Sequence, residues 1–191
     1  MNAEIEGVIL AGGESRRMGT NKSLIKLHTK PLIEHVYDRL IEQVSHVSIN
    51  TNQPIEIFPK NIQFDDRILN KTGPLAGIQA GLFYAKKNWV QFCPNDCPFL
   101  PINLVEKLSF CIKDKGPTII LPSLFDHLEP VFMLCHRSLL KNLEDFIGAG
   151  GRKMELRIKE NNYKAVNFSD LKAFINIINL SELAKIETEN N

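Results

Sequence analysis

The chain has 191 residues, of which 43% are hydrophobic and 24% charged, and its formal net charge is +1. That length suits one domain burying roughly 70% of its unfolded surface, and the near-neutral charge excludes a broad basic footprint for nucleic acid. The cysteines at 93, 97, 111 and 135 form no C-x-x-C pair, so neither structural zinc nor a redox motif is expected. An acidic start and no apolar run near the ~20 residues that span a bilayer lead to the expectation of a cytoplasmic protein without membrane contact.

Apolar runs alternate with helical patterns from end to end. "GVIL" (7–10) predicts a buried strand. "PLIEHVYDRLIEQV" (31–44) puts Leu32, Ile33, Val36, Leu40, Ile41 and Val44 on one helical face behind Pro31. "HVSIN" predicts a second strand, with "IEIF" and "IQF" as weaker strand candidates around Pro59-Lys60. A helix opens at Gly73-Pro74, and "WVQFCP" is the next strand. Beyond it, "PINLVEKLSFCIKD" predicts a helix, "TIILP" a strand, and "EPVFMLC" a strand started by Pro130. "SLLKNLEDFIGAGG" is a helix closed by glycines. A short helix near Met154, a strand "KAVNF", a segment "FINII" and a helix "SELAKIE" complete the pattern. Such alternation predicts an α/β fold: a single-domain, Rossmann-like three-layer sandwich with a mostly parallel central sheet. The nucleotide half is expected at roughly 1–100, the acceptor half at roughly 101–186, and a frayed tail at 187–191.

In open α/β sheets ligands bind beyond the carboxyl ends of the strands, so the loop after the first strand, "AGGESRRMGTNK", faces the expected site. It matches neither the dinucleotide pattern G-x-G-x-x-G nor the Walker pattern, because Gly12 and Gly13 are adjacent and Lys22 does not directly follow Gly19. Its chemistry still points to phosphate. The two glycines let backbone N–H groups approach an anion, and Arg16, Arg17 and Lys22 supply fixed positive charge.

The stretch "LAGGESRRMGTNKSL" resembles the signature L-A-G-G-x-S-x-R-M-G-x-D-K of the MobA family of nucleotidyltransferases, the molybdenum cofactor guanylyltransferases. The likeness continues through "TKPL", "SHVSIN", "GPLAGI", "FCPNDCPFLP", "VNFSD" and "FINI". It implies the nucleotide-diphospho-sugar transferase type of fold. It also implies transfer of GMP from GTP to the phosphate of molybdopterin, with Mg²⁺ as cofactor and pyrophosphate released. Asp96 ends an apolar strand, where a carboxylate for magnesium is needed, and the D-x-P likeness makes it the expected metal ligand. Lys22 and Arg17 are expected to grip phosphates. The backbone of Leu10, Ala11, Gly12 and Gly13 is expected against GTP, with Asn50, whose amide both donates and accepts, and Asp66, beside which Asp65 is the alternative. For molybdopterin the likeness points to Arg152, Lys153 and Asn176. The five histidines show no ligand spacing and receive no role.

Three positions depart from the family pattern. Asn21 replaces the aspartate before the lysine, Asn95 and Cys97 flank Asp96 in place of commoner residues, and Ile178 replaces the second asparagine of N-x-N-T, with Asn179 next to it. Two alternatives stay open: a related transferase using CTP or another acceptor, and a non-catalytic nucleotide-binding relative. A monomer is expected, with a homo-oligomer as the alternative, and molybdenum-insertion or molybdoenzyme-maturation proteins as partners.

Overall fold

The computed structural model describes residues 4–13, 24–68, 73–113 and 116–177. Strand β1 (Ile5–Leu10) is followed by a small hairpin, β2 (Lys26–Leu27) and β3 (Lys30–Pro31), which leads into α1 (Leu32–Ile41) and β4 (Val47–Asn50). Next come β5 (Gln63–Phe64), α2 (Pro74–Tyr84), β6 (Trp89–Pro94) and α3 (Leu104–Ser109). The second half contains β7 (Ile119–Leu124), β8 (His127–Leu128), β9 (Leu134–His136), α4 (Leu139–Gly148), α5 (Met154–Lys159) and β10 (Tyr163–Phe168).

The main sheet runs β10-β7-β9-β6-β1-β4-β5, with β8 attached to β7. β1 pairs in parallel with β4 and β6, β4 with β5, and β7 with β10; β9 and β8 are the antiparallel strands. The expected three layers are present. Ile5 and Ile9 face one side, packed with Val36 and Leu40 of α1 and Leu104 and Leu108 of α3. Val8 faces the other, with Leu75, Ile78 and Leu82 of α2 and Leu143 and Ile147 of α4. Successive strand residues point to opposite faces, so each face of β1 has its own helix layer. Gly7 lets the two layers approach closely, because a Cβ there would lie 2.8 Å from a methyl carbon of Leu40 and push that side chain aside.

Two strand expectations fail. "IEIF" forms a turn: Ile55 is 1% exposed but Ile57 is 49% exposed, whereas Phe58 is buried. A half-buried strand would put Ile55 and Ile57 on the same face, so the i, i+3 pairing of Ile55 with Phe58 marks a turn, bracketed by Pro54 and Pro59. "EPVFMLC" divides into a 3₁₀ turn at Pro130–Phe132 and the short β9. Pro130 occupies the first position of that turn, where its fixed φ and missing N–H cost least. The expected closure of α4 by glycine holds, with Gly150 at φ +88°. The "SELAKIE" helix lies outside the described residues.

Candidate active site

Strand register places three strand ends in one row. Leu10, the last residue of β1, faces Asn50 at the end of β4 on one side and Pro94 at the end of β6 on the other. The chain crosses from β4 and β5 on one flank of β1 to β6 on the other, so this row is a switch point, where open sheets leave a crevice. The loop at Gly12 and Gly13 leaves the row between its two flanks.

The β4 flank is a side-chain network. Asn50 is only 1% exposed, and its Nδ2 donates to Oδ1 of Asp66 at 2.9 Å. Asn52 Nδ2 donates to Oδ2 of the same carboxylate at 2.8 Å and to the carbonyl of Gly12 at 3.2 Å. The Asp66 backbone N–H returns a bond to Asn52 Oδ1 at 2.9 Å. Ala11 N–H donates to the Asn50 carbonyl at 2.8 Å, continuing the β1–β4 ladder one residue past the strand. Both oxygens of Asp66 are thus held by amide N–H groups, which fixes the plane of the carboxylate. Asp66 is half-buried in this network and the neighbouring Asp65 is exposed, which decides between the two in favour of Asp66 as the positioned carboxylate.

The network also dictates two glycines. A Cβ on Gly77 of α2 would lie 2.3 Å from Asn50 Oδ1, and one on Gly12 would lie 3.0 Å from the same oxygen and 3.3 Å from Asp66 Oδ2. Asn52 and Gly77 escaped the sequence reading. Asn52 had a signal: Asn50-Thr51-Asn52 has the period of two that puts alternate side chains on one face. Gly77 lies in the "GPLAGI" stretch, but a helical glycine reads as an unforced choice until its neighbour is known.

The β6 flank carries Asp96, two residues past the strand and 7% exposed. Its carbonyl accepts the Ile177 N–H at 2.9 Å. The Cys97 thiol lies 3.9 Å from both Asp96 Oδ1 and the Phe174 carbonyl. Burial, reinforced by the charge of Asp96, pushes that thiol far above its usual range, so it stays protonated and inert. Desolvation likewise raises the Glu129 carboxyl, partly offset by His127. Among the described residues no group of three His, Cys, Asp or Glu side chains could hold a metal. Asp96 is a single buried carboxylate near a strand end, a donor whose chemistry fits an ion that takes most of its oxygens from phosphates and water.

Of the residues expected to meet the acceptor, Arg152 and Lys153 are not gathered with these, and Asn176 is. Arg152 Nη1 donates to the carbonyls of Ile147 at 3.1 Å and Gly151 at 2.7 Å, closing the end of α4. Lys153 and Asn176 are exposed. α4 leaves the amino edge of the sheet after β9 and α5 returns to it before β10, so the loop holding Arg152 and Lys153 lies toward the carboxyl edge. Asn176 adjoins Ile177 and so sits beside Asp96 in the chain path. Arg17, Lys22, Asn21, Ile178 and Asn179 lie outside the described residues.

Comparison with known proteins is decisive at this point. Residues 7–163 match the model of the MobA-like NTP transferase domain. The chain belongs to the MobA-like NTP transferase family. A molybdenum cofactor guanylyltransferase of Vibrio parahaemolyticus is 40% identical over 181 residues, 93% of this chain and 92% of that one. One of Mannheimia succiniciproducens is 39% identical over 187 residues, 96% and 98% of the two chains. Among solved structures, molybdopterin-guanine dinucleotide biosynthesis protein A from Archaeoglobus fulgidus superposes with a TM-score of 0.78 at 24% identity, covering 97% and 98%. The 4-diphosphocytidyl-2C-methyl-D-erythritol synthase from Anaerococcus prevotii does so with 0.73 at 12%, covering 98% and 96%. These two show the fold of the MobA-like chain: a nucleotidyltransferase sandwich with a mostly parallel sheet. No helix among the described residues is long and apolar enough to cross a membrane.

Proposed function

We propose that this MobA-like transferase moves GMP from GTP to the phosphate of molybdopterin, forming the guanine dinucleotide form of that cofactor and releasing pyrophosphate. The observation that carries the reading is the row of strand ends at Asn50, Leu10 and Pro94, with a positioned carboxylate, Asp66, on one flank and Asp96 on the other. Relatives about 40% identical over nine-tenths of both chains are named for this activity.

In this reading GTP lies across the row. The backbone of Leu10, Ala11, Gly12 and Gly13 meets the nucleotide, and the remaining lone pairs of Asp66 accept from donors of the nucleoside. Asn50 and Asn52 hold Asp66 at the angle that GTP meets, so binding requires little reorganisation. Lys22 and Arg17 grip the phosphates. Asp96 would hold Mg²⁺, which when bound supplies neutralising charge to the transferring phosphoryl group. An oxygen of the acceptor phosphate attacks the α-phosphorus as the bond to pyrophosphate breaks. The nucleophile belongs to the acceptor, so the protein's task is alignment and charge, with no serine, cysteine or histidine nucleophile. Lys153, Asn176 and Arg152 form the acceptor side, which makes residues 1–100 the nucleotide half and 101–186 the acceptor half.

Pyrophosphate release tests this directly. The chain with Mg²⁺ should release pyrophosphate only when GTP and molybdopterin are both present, and GTP should raise its melting temperature more than CTP does. Stronger protection by CTP would make it a cytidylyl transferase. GTP binding with no release under any acceptor would make it a nucleotide-binding relative.

A further inference from the structure

Phe125 is a large apolar side chain left 74% exposed on the carboxyl edge of the sheet. It occupies the first central position of the two-residue turn joining β7 to β8, defined by the Leu124–His127 pair. Its φ is +53°, and Asp126 beside it has no positive φ. That is the pattern of a type II′ turn, whose first central position belongs to glycine. A bulky side chain there is strained. His28 has φ +57° at the corresponding place in the β2–β3 turn, but histidine is among the side chains that enter this region more readily. Neither core packing nor turn chemistry explains a phenylalanine at 125, since its ring is in solvent and its backbone would be better served by glycine. Strain kept where the fold does not require it points to function.

The register says which function. Gln91 of β6 and Ile120 of β7 both face Leu134 of β9. Counting upward along the parallel β6 and β7 from that level brings Pro94 and Ser123 to the same height, and Asp96 and Phe125 each follow two residues later in the turns beyond. β9 lies between the two strands and β8 continues on the same side of β7 at its carboxyl end, so the strands are two spacings apart, about 10 Å. A fused pterin ring system bearing a phosphate on a side arm spans such a gap.

We propose that the Phe125 ring is the platform on which the planar heteroaromatic ring of the acceptor stacks while its phosphate reaches the Asp96 end of β6. The proposal rests on the guanylyl-transfer reading for the identity of the acceptor. Phenylalanine offers a flat face with few torsions to freeze, and offset stacking adds to plain area burial. Holding the ring in a strained turn keeps it out of the core and available from the solvent side.

The test uses a soluble fluorescent pterin, pterin-6-carboxylate, with binding read by fluorescence anisotropy on the full chain. Phe125→Ala and Phe125→Gly should each weaken binding about tenfold, and Phe125→Trp should keep it. Phe125→Gly should also raise the melting temperature by about 2–4 °C through loss of strain. Gained stability with lost affinity is a combination that a merely structural residue would not produce. In turnover with molybdopterin, the KM for the acceptor should rise in the Ala and Gly variants while that for GTP stays within about a factor of two. Native affinity for the pterin in Phe125→Gly, or no binding of the pterin by the native chain, overturns the platform. The two readings fail separately. Pyrophosphate release with an unchanged acceptor KM in the variants rejects the platform alone, and Phe125-dependent pterin binding without release rejects the transfer reading alone.

Discussion

The two sides of the sheet's carboxyl edge are built on different plans. On the β4 flank, polar side chains bind one another: Asn50, Asn52 and Asp66 form a closed set of bonds that also holds the Gly12 carbonyl. On the β7–α5 side, Arg152 serves its own helix end, and what faces solvent is an aromatic ring and an unburied lysine. In the proposed reading the β4 flank is the nucleotide side, its polar groups already bonded to one another, and the β7–α5 side takes the acceptor on an open surface, where affinity comes from stacking and charge. A shared donor substrate can be gripped by a rigid site, whereas a large, chemically labile acceptor needs an approach that does not enclose it.

The comparison can be broken at several points. The largest effect is expected where both sides meet: Asp96→Asn, nearly isosteric but uncharged, should lower kcat/KM about 10³-fold in pyrophosphate release with the fold intact by circular dichroism. Next is the β4 flank. Gly77→Ala puts a methyl 2.3 Å from Asn50 Oδ1, so it should displace the network, raise the KM for GTP about tenfold or more, and destabilise by about 1–3 kcal/mol in chemical denaturation. Asn52→Ala removes an exposed tether without touching the core. A several-fold rise in the KM for GTP at unchanged melting temperature is expected, and no change would show that Asn50 alone suffices to hold Asp66. On the open side, Arg152→Ala should cost about 1 kcal/mol through the lost helix closure yet raise the acceptor KM less than Lys153→Ala does. The reverse ranking would mean that the guanidinium leaves its helix for the ligand.

The smallest effect concerns pH and lies away from the site. Burial, with Lys30 adding to it, lowers the pKa of His35, which accepts partial compensation from a bond to the Leu27 carbonyl. The unfolded chain therefore binds more protons just below the ordinary histidine value of about 6.5. The stability contributed by neutral His35 is present above that pH and is lost as the pH falls below it. Melting temperatures taken between pH 7.5 and 5.5 should fall less in His35→Gln than in the native chain.

Much of the frame was legible in the sequence because buried parallel strands are short apolar runs and helices show one apolar face. The expected strands "GVIL", "HVSIN", "WVQFCP", "TIILP" and "KAVNF" appear where the runs are. The failures have physical causes. "IEIF" has the composition of a strand and the burial of a turn, and composition cannot tell them apart when prolines stand on both sides. Pro130 was read as a strand opener, yet its geometry suits the first turn of a 3₁₀ helix equally well. In the site, Asp96 stands out because it follows an apolar strand, whereas Asp66 is singled out by the family likeness, with Asp65 beside it as the alternative. Asn52 and Gly77 act through partners distant in sequence: the period of two and the "GPLAGI" stretch mark their positions, but not what they touch. Phe125 hid for a further reason: its backbone angle, which sets it apart, is not written in residue type.

The bond from Ile177 N–H to the Asp96 carbonyl also has a meaning in time. It joins Asp96, in the middle of the chain, to a segment synthesised much later, whereas β1, β4 and β6 are all complete once the first half has emerged. The three strand ends can therefore be present while the Asp96 end still lacks its last neighbour, so that corner of the fold is completed only when the segment at Ile177 has been made and has docked.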